Sequence, residues 1–223
     1  MTARDSYALL APFYERFHDQ TRLHELRQIV MRETTPCQTL DVGAGTGLMG
    51  RYLAHQGYDV TLLDASATML DKAQEYALQE GLRLNYLQQS MLAHYPLEAE
   101  LIVASMDVIN HLPDLDAVQI FFDRVFQALK DKGRFIFDSL TCQYIQSLIG
   151  YQETLPVKGQ SLTWTVQHGA HACSLEHHFS DGLKNTVIQE RSYSPATLLS
   201  KLSKFSSVQR KTLKDRHVFI VTR

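Results

Sequence analysis

The feature that most constrains this 223-residue sequence is a spaced run of glycines where a short apolar strand gives way to a helix. Thr39-Leu40-Asp41-Val42 reads as a buried strand. Gly43, Gly45 and Gly47 follow at alternate positions, and Leu48, Met49, Tyr52 and Leu53 then recur at helical spacing until Gly57. Glycines so placed let the backbone turn sharply and approach a ligand that a side chain would hold off. A second strand, Asp59 to Leu63, ends on Asp64. In doubly wound sheets an acid at that point accepts from ribose hydroxyls, and an ionised carboxylate, being acceptor only, matches a vicinal diol.

The alternation continues along the chain. Ser66 caps a helix with Met69, Leu70, Ala73 and Ala77 on one face. Leu82 to Leu87 predicts a third strand, and Leu101 to Ala104 a fourth that is apolar throughout and so buried on both faces. Pro113-Asp114 opens a helix with Val118, Phe121, Phe122, Val125 and Leu129 inward. Arg134 to Asp138 predicts a fifth strand. Ahead of the glycines, Leu23, Leu26, Ile29 and Val30 mark one helix face, and a shorter amphipathic piece lies around Tyr7 to His18. Strands and helices alternating at this pace predict an α/β fold, a doubly wound and mostly parallel sheet. After about residue 150 the period becomes two. Residues 162–166, 173–179 and 186–193 predict a small antiparallel sheet inserted into the α/β domain. Ser194-Pro195 then restarts a helix, and closing strands follow near Val208 to Leu213 and His217 to Thr222.

Composition narrows the class. Hydrophobic residues at 44% and charged residues at 21% exclude a disordered or coiled-coil chain. No stretch approaches the roughly 20 apolar residues of a membrane span. The N-terminal residues lack the basic and apolar pattern of a signal peptide. Three cysteines, Cys37, Cys142 and Cys173, are few, odd in number and far apart, so no disulfide scaffold is expected and a reducing, cytoplasmic setting is. Charge is uneven: residues 1–150 carry a net −7 and residues 151–223 a net +5. An ordinary surface accounts for that, and the sharper alternative is an anionic partner at the C-terminal part.

Two cofactor classes fit the loop. Gly45-Thr46-Gly47-Leu48-Met49-Gly50 spells the dinucleotide pattern G-x-G-x-x-G. Yet the glycines begin at Gly43, and Asp41 stands just before them, where an anionic pyrophosphate has no use for it. The string Asp41-Val42-Gly43-Ala44-Gly45-Thr46-Gly47 resembles the first motif of the class I S-adenosylmethionine-dependent methyltransferases, and Val60 to Leu70 resembles their second. Gln88-Gln89-Ser90-Met91 stands where the family usually has an acid for the adenine amino group; here Ser90 takes its place. Ser105 to Leu112 resembles the fourth-strand motif of the small-molecule and bacterial members.

The resemblance implies a seven-stranded Rossmann-like sheet with an N-terminal helical lid over residues 1–35. The α/β domain would span 36–150 and 194–223, and an inserted antiparallel cap, 151–193, would roof the acceptor site. It implies S-adenosyl-L-methionine as cofactor, held by Asp41, Gly43, Ala44, Gly45, Gly47, Asp64, Ala65, Met69, Ser90, Met91 and Ser105. Tyr14, Asn110 and His111 are the candidate catalytic residues near the methyl group, His111 as a proton acceptor. The expected activity is methyl transfer to an oxygen, nitrogen or carbon nucleophile on a small molecule. A nicotinamide-dependent oxidoreductase and a non-catalytic cofactor-binding module are the alternatives. No metal site is expected: His168, His171, His177 and His178 lack completing ligands and read as strand-surface residues. Lys201, Lys204, Arg210, Lys211, Lys214 and Arg216 read as a solvated helix face and edge strand, so nucleic acid is not an expected partner.

Overall fold

The computed structural model describes residues 6–17, 20–157 and 160–223. Eleven strands and six α-helices occur among them: α1 Gln20–Glu33, β1 Gln38–Val42, α2 Leu48–His55, β2 Asp59–Asp64, α3 Ala67–Gln79, β3 Asn85–Gln88, β4 Ala99–Ala104, α4 Leu115–Ala128, β5 Leu129–Leu140, α5 Cys142–Leu148, β6 Gln152–Val157, β7 Gln160–His168, β8 Ser174–Ser180, β9 Asn185–Arg191, α6 Pro195–Lys201, β10 Ser207–Thr212 and β11 Arg216–Thr222. Single-turn helices stand at Tyr14–Arg16 and Val108–His111.

Seven strands form one sheet in the order β10-β11-β5-β4-β1-β2-β3, parallel except where β11 meets β5 and β10. The order reverses beside β1, so the ends of β1 and β4 diverge into a crevice, the usual ligand position in open α/β sheets. On one face Phe121, Phe122, Phe135, Phe137 and Phe219 are buried together, with Phe137 and Phe219 stacked 4.7 Å apart. Each such side chain stabilises the fold by about 1.5–3 kcal/mol through burial. On the other face Leu23, Leu26, Ile29 and Val30 of α1 pack with Leu53, Val60, Leu101 and Val218. This corrects the lid expected over residues 1–35. The α1 helix is a layer of the sandwich, because its apolar stripe has no other core to enter. Only residues 6–17 lie over the sheet ends; residues 1–5, 18 and 19 are outside the described set.

The inserted sheet is present and larger than expected, with four antiparallel strands in the order β6-β7-β8-β9. The sequence signal for β6 is hidden by Pro156, which a strand tolerates at a sheet edge, where β6 lies. Leu162, Phe179 and Ile188 of this sheet share a core with Leu10, Ala11 and Phe13 of the N-terminal segment and Met69 of α3. A second anchor joins Val166 and Leu175 to Leu140 and Ile145. The cap is thus packed onto both sides of the crevice.

One disulfide is present, against the reading of the cysteines as reduced. Cys142 at the start of α5 and Cys173 before β8 are bonded, with their Cα atoms 5.1 Å apart. They lie 31 residues apart in sequence, and only the docking of the cap brings them together. Cys37 remains free. Closing a loop of this length restricts the unfolded chain by about 3–4 kcal/mol in the chain-entropy account. Cys142→Ser should therefore lower the unfolding midpoint by several degrees. Dithiothreitol should lower the parent by the same amount and leave the variant unmoved in parallel thermal scans.

Candidate functional site

The glycine loop is shaped by what lies against it. Gly43 has φ +67°, and a Cβ there would meet the Val108 methyls at 2.7 and 2.8 Å. Gly45 has φ +54°, and its Cβ would stand 3.1 Å from the Tyr14 ring. Both positions combine a left-handed backbone with a close neighbour, which only glycine tolerates. Gly50, the last glycine of the dinucleotide pattern, serves packing instead: a Cβ would lie 2.2 Å from Leu62 Cδ2, where α2 crosses β2. Three loop amides are already used within the protein. Ala44 N–H donates to Leu63 O, Gly47 N–H to Ala44 O, and Gly45 N–H to Asp64 Oδ2. A loop with its amides so committed, bracketed by two acids, is poorly made for a pyrophosphate.

Asp41 is 2% exposed, and its Oδ2 accepts from Gly50 N–H at 2.9 Å. Burial pushes its carboxyl up to about 7, against the lowering effect of that one bond. No ion pair reaches it among the described residues. A buried acid in want of a cation fits the α-ammonium of a bound methionine end. Asp64 spans the loop and the next helix: Oδ2 accepts from Gly45 N–H and Oδ1 from Ser66 N–H, both at 2.8 Å. Ser66 caps α3 by accepting from Met69 N–H at 3.1 Å.

A cavity of about 330 Å³ opens over this loop. Gly43, Gly45, Asp64, Ala65, Met69, Ser90 and Met91 line it, together with Tyr14 and His111. Asp41, Ala44 and Ser105 border a smaller recess with Gly43 beneath Tyr14. Gly47 lines neither and serves as the N-terminal cap of α2. Ser90 Oγ accepts from Leu92 N–H at 3.2 Å. Glu15, on the single turn that carries Tyr14, latches the N-terminal segment down, accepting from Thr46 Oγ1 at 3.0 Å and pairing with Arg51.

A second cavity, about 140 Å³, lies between the N-terminal segment and the cap. The two cavities share Tyr7, Tyr14, Met106 and His111, which therefore stand at their junction. Met106 and Asp107 have φ +63° and +75°, a strained pair directly after β4. Asp138 holds that turn by accepting from Met106 N–H at 2.8 Å, and Arg216 holds Asp138 at 2.6 Å. Arg216 also pairs with Asp107 at 3.0 Å and Asp215 at 3.1 Å, and Arg22 reaches Asp215 at 2.9 Å. Arg216 is 1% exposed, which corrects its placement on a solvated strand. Burial opposes its charge, and the three carboxylates outweigh that and raise its pKa. Lys204 and Lys211 pair with Asp123 and Glu33 on other elements.

Asn110 is corrected likewise. It is 1% exposed; its Nδ2 donates to Arg191 O at 2.8 Å and its Oδ1 accepts from Leu140 N–H at 3.0 Å. Its polar atoms tie β5 to β9 and do not face the cavities, so it is a positioning residue. His111 does face them, with Nε2 at 3.2 Å from the Tyr7 hydroxyl and Nδ1 at 3.3 Å from Gln189 O. Tyr7 and Tyr14 are both held well above the ordinary phenol range, first by burial and then by neighbouring acids and, for Tyr7, by Tyr14.

Sequence reasoning missed Tyr7 and Met106 as junction residues, and Asp107, Trp164, His177 and Glu190 in the second cavity. His177 is 7% exposed, not a surface histidine. The strand period held the clue: His177 shares its parity with Leu175 and Phe179, both buried. Its Nδ1 accepts from Trp164 Nε1–H at 3.0 Å, and its Nε2 faces Glu190 Oε1 at 3.3 Å. Burial works to raise Glu190, and the hydrogen bond from His177 leads the neighbouring interactions that outweigh it and keep the acid below its ordinary range. Among the described residues no group of three His, Cys, Asp or Glu side chains could hold a metal, and no helix is long and apolar enough to cross a membrane.

Two outcomes follow from these charges. Arg216→Met leaves three carboxylates facing one another without their cation, and stability should fall by about 3–5 kcal/mol in urea titrations, with Arg216→Lys between. Asp41 acts in the opposite sense. Its folded value of about 7 lies above the ordinary 3.8, so the native state binds the extra proton between these limits. The parent should lose stability as pH rises from about 4 to 7, and stay level above. Asp41→Asn should abolish that slope, and equal slopes in parent and variant would count against the burial account.

The pattern of a family described as "Methyltransferase domain" matches residues 39–133. A "Ubiquinone biosynthesis O-methyltransferase" of Pectobacterium carotovorum is 37% identical over 83 residues, covering 36% of this chain and 35% of that protein. Its counterpart from Rickettsia canadensis is 29% identical over 153 residues, covering 69% and 59%. The chain thus spans roughly a third to three-fifths of the length of these curated relatives. Among solved structures, an S-adenosylmethionine-dependent methyltransferase from Clostridium acetobutylicum superposes with a TM-score of 0.76 at 19% identity, covering 96% of both chains. The sugar N-methyltransferase KedS8 from Streptoalloteichus superposes at 0.75 and 16% identity, covering 95% and 91%. Residues 39–133 thus match a methyltransferase domain, and the chain has the fold of S-adenosylmethionine-dependent methyltransferases.

Proposed function

We propose that the chain moves a methyl group from S-adenosylmethionine to an oxygen or nitrogen atom of a small molecule. The observation that carries this is the junction of two cavities at Tyr7, Tyr14, Met106 and His111. The larger cavity has the acids and glycines suited to the cofactor. The smaller one, walled by Leu10, Phe17, Trp164 and Phe179, suits an acceptor of modest size. The relatives named above are, by their names, an O-methyltransferase of ubiquinone biosynthesis and a sugar N-methyltransferase.

In this proposal Asp41 faces the cofactor's ammonium, Asp64 its ribose hydroxyls, and Met69, Ser90 and Met91 its base. The sulfonium supplies an already activated methyl group. The protein's part is alignment, which is worth roughly 7–11 kcal/mol in well-oriented reactions. Tyr14 lies over Gly45 and covers the loop, and His111 takes the proton released by the acceptor. The cap, residues 151–193, roofs the acceptor side. A cytoplasmic location belongs to the same proposal, with Cys142 and Cys173 as thiols there. The oxidoreductase alternative is disfavoured by the committed loop amides, and a purely binding module gives the second cavity no purpose.

Calorimetric titration with S-adenosylmethionine, S-adenosylhomocysteine and NAD in parallel tests this. The first two should bind and NAD should not. A hydrogen bond to a charged group contributes about 1.5–3 kcal/mol. Asp64→Ala should therefore weaken S-adenosylmethionine by roughly 10- to 150-fold. Asp64→Asn keeps one acceptor oxygen but turns an amide against Gly45 N–H or Ser66 N–H, and should fall between. Undiminished affinity in a folded Asp64→Ala sample would remove the ribose assignment.

A further inference from the structure

We propose that Glu190, oriented by His177 and Trp164, is the carboxylate that prepares His111 as the proton acceptor for the methyl acceptor's N–H or O–H. The inference rests on the methyltransferase reading above and adds residues to it from the inserted cap. Its basis is the direction of each hydrogen bond. Gln189 O can only accept, so the 3.3 Å contact with His111 Nδ1 requires the hydrogen on Nδ1. In the neutral ring Nε2 is then bare, and it takes the Tyr7 hydroxyl at 3.2 Å. Trp164 Nε1–H can only donate, so His177 Nδ1 must accept, and its own hydrogen sits on Nε2. That Nε2 faces Glu190 Oε1 at 3.3 Å, and the same oxygen lies 3.8 Å from His111 Nε2.

One carboxylate oxygen therefore meets the hydrogen-bearing nitrogen of one imidazole and the bare nitrogen of the other. The donor chain from Trp164 through His177 fixes where the Glu190 charge stands. Glu190 has 11% of its side chain exposed, so little water screens it. The groups facing His111 are Tyr7 and Tyr14 from the N-terminal segment, Asp107 from its own turn, His177 from β8, Glu190 from β9 and Arg216 from β11. The two phenols stay protonated, and Arg216 is matched by Asp107, Asp138 and Asp215. Glu190 is the one carboxylate within ion-pair distance of His111 among the described residues.

The step balances as follows. The acceptor atom gains a bond to the methyl carbon through its lone pair and gives its proton to His111 Nε2 as the Tyr7 hydroxyl turns off that nitrogen. The electron pair of the broken carbon–sulfur bond stays on sulfur. The imidazolium so formed stands beside Glu190 until its proton passes to solvent. Such a base serves acceptors that carry hydrogen on the reacting atom, a primary or secondary amine or a hydroxyl. A tertiary amine or a thioether has no proton to hand over.

Nitrogen-15 NMR of histidine-labelled protein tests this without an acceptor. His111→Gln and His177→Gln assign the two rings. His111 should appear as the Nδ1–H tautomer and His177 as the Nε2–H tautomer. In Glu190→Gln the His111 titration should move to lower pH, as expected on losing an opposite charge at this distance. Trp164→Phe keeps an aromatic ring but removes the donor, and should let His177 change tautomer and give a smaller shift in the same direction. A carboxylate that merely braced the cap would leave the His111 titration in place. An Nε2–H tautomer at His111, or an unmoved titration in both variants, would overturn the proposal. Calorimetry with S-adenosylmethionine keeps the two ideas apart: Glu190→Gln should bind it as the parent does. A parent that bound none would strike the methyltransferase reading and leave the NMR result standing.

Discussion

The Arg216 guanidinium joins parts of the chain that no local signal connects. It sits at the carboxyl end of the sheet, where β11 runs beside β5, and it pairs with Asp138, Asp107 and Asp215 in a place almost closed to water. Asp138 in turn accepts from the backbone of Met106 and Asp107. That keeps two non-glycine residues in left-handed conformations, and the turn they form presents His111 to both cavities. Three acids at one point would repel one another and lose their hydration. The cation makes the cluster tolerable, and the strained turn depends on the cluster.

The site is assembled in layers around that point. The sheet supplies the glycine loop and the acids at the ends of β1 and β2. The N-terminal segment lies across the loop, latched by Glu15 to Thr46 and Arg51. The inserted sheet closes the far side through a core shared with that same segment. The inserted sheet has a further anchor of its own on Leu140 and Ile145. These dockings place Tyr7, His111, His177 and Glu190 within a few hydrogen bonds of one another, although they come from four separate stretches of chain.

The α/β frame was legible because its signals are local. Leu101 to Ala104 reads as a buried strand from composition alone, Ser66 as a cap from its place before Met69, and the acids at 41 and 64 from their positions at strand ends. Pro156 concealed β6, because an edge strand tolerates what a central one does not. Arg216 and His177 were misplaced for a different reason. A charged or titratable side chain carries no local mark of burial when its partners arrive from distant segments. Asn110 stood in a suggestive motif, yet its amide was committed to Leu140 and Arg191 once β5 and β9 came together.

The sequence by itself determined the sheet, its helices, the glycine loop and the two acids that face it, because strand period, helix period and turn chemistry act over a few residues at a time. Tertiary structure decided everything that depends on which surfaces meet. It joined Cys142 to Cys173, buried Arg216 among three acids, turned Asn110 inward and set Glu190 between two histidines. The physical reason is common to all four. Burial and charge pairing are properties of a neighbourhood, and these neighbourhoods exist only after the inserted sheet and the N-terminal segment have docked on the ends of the strands.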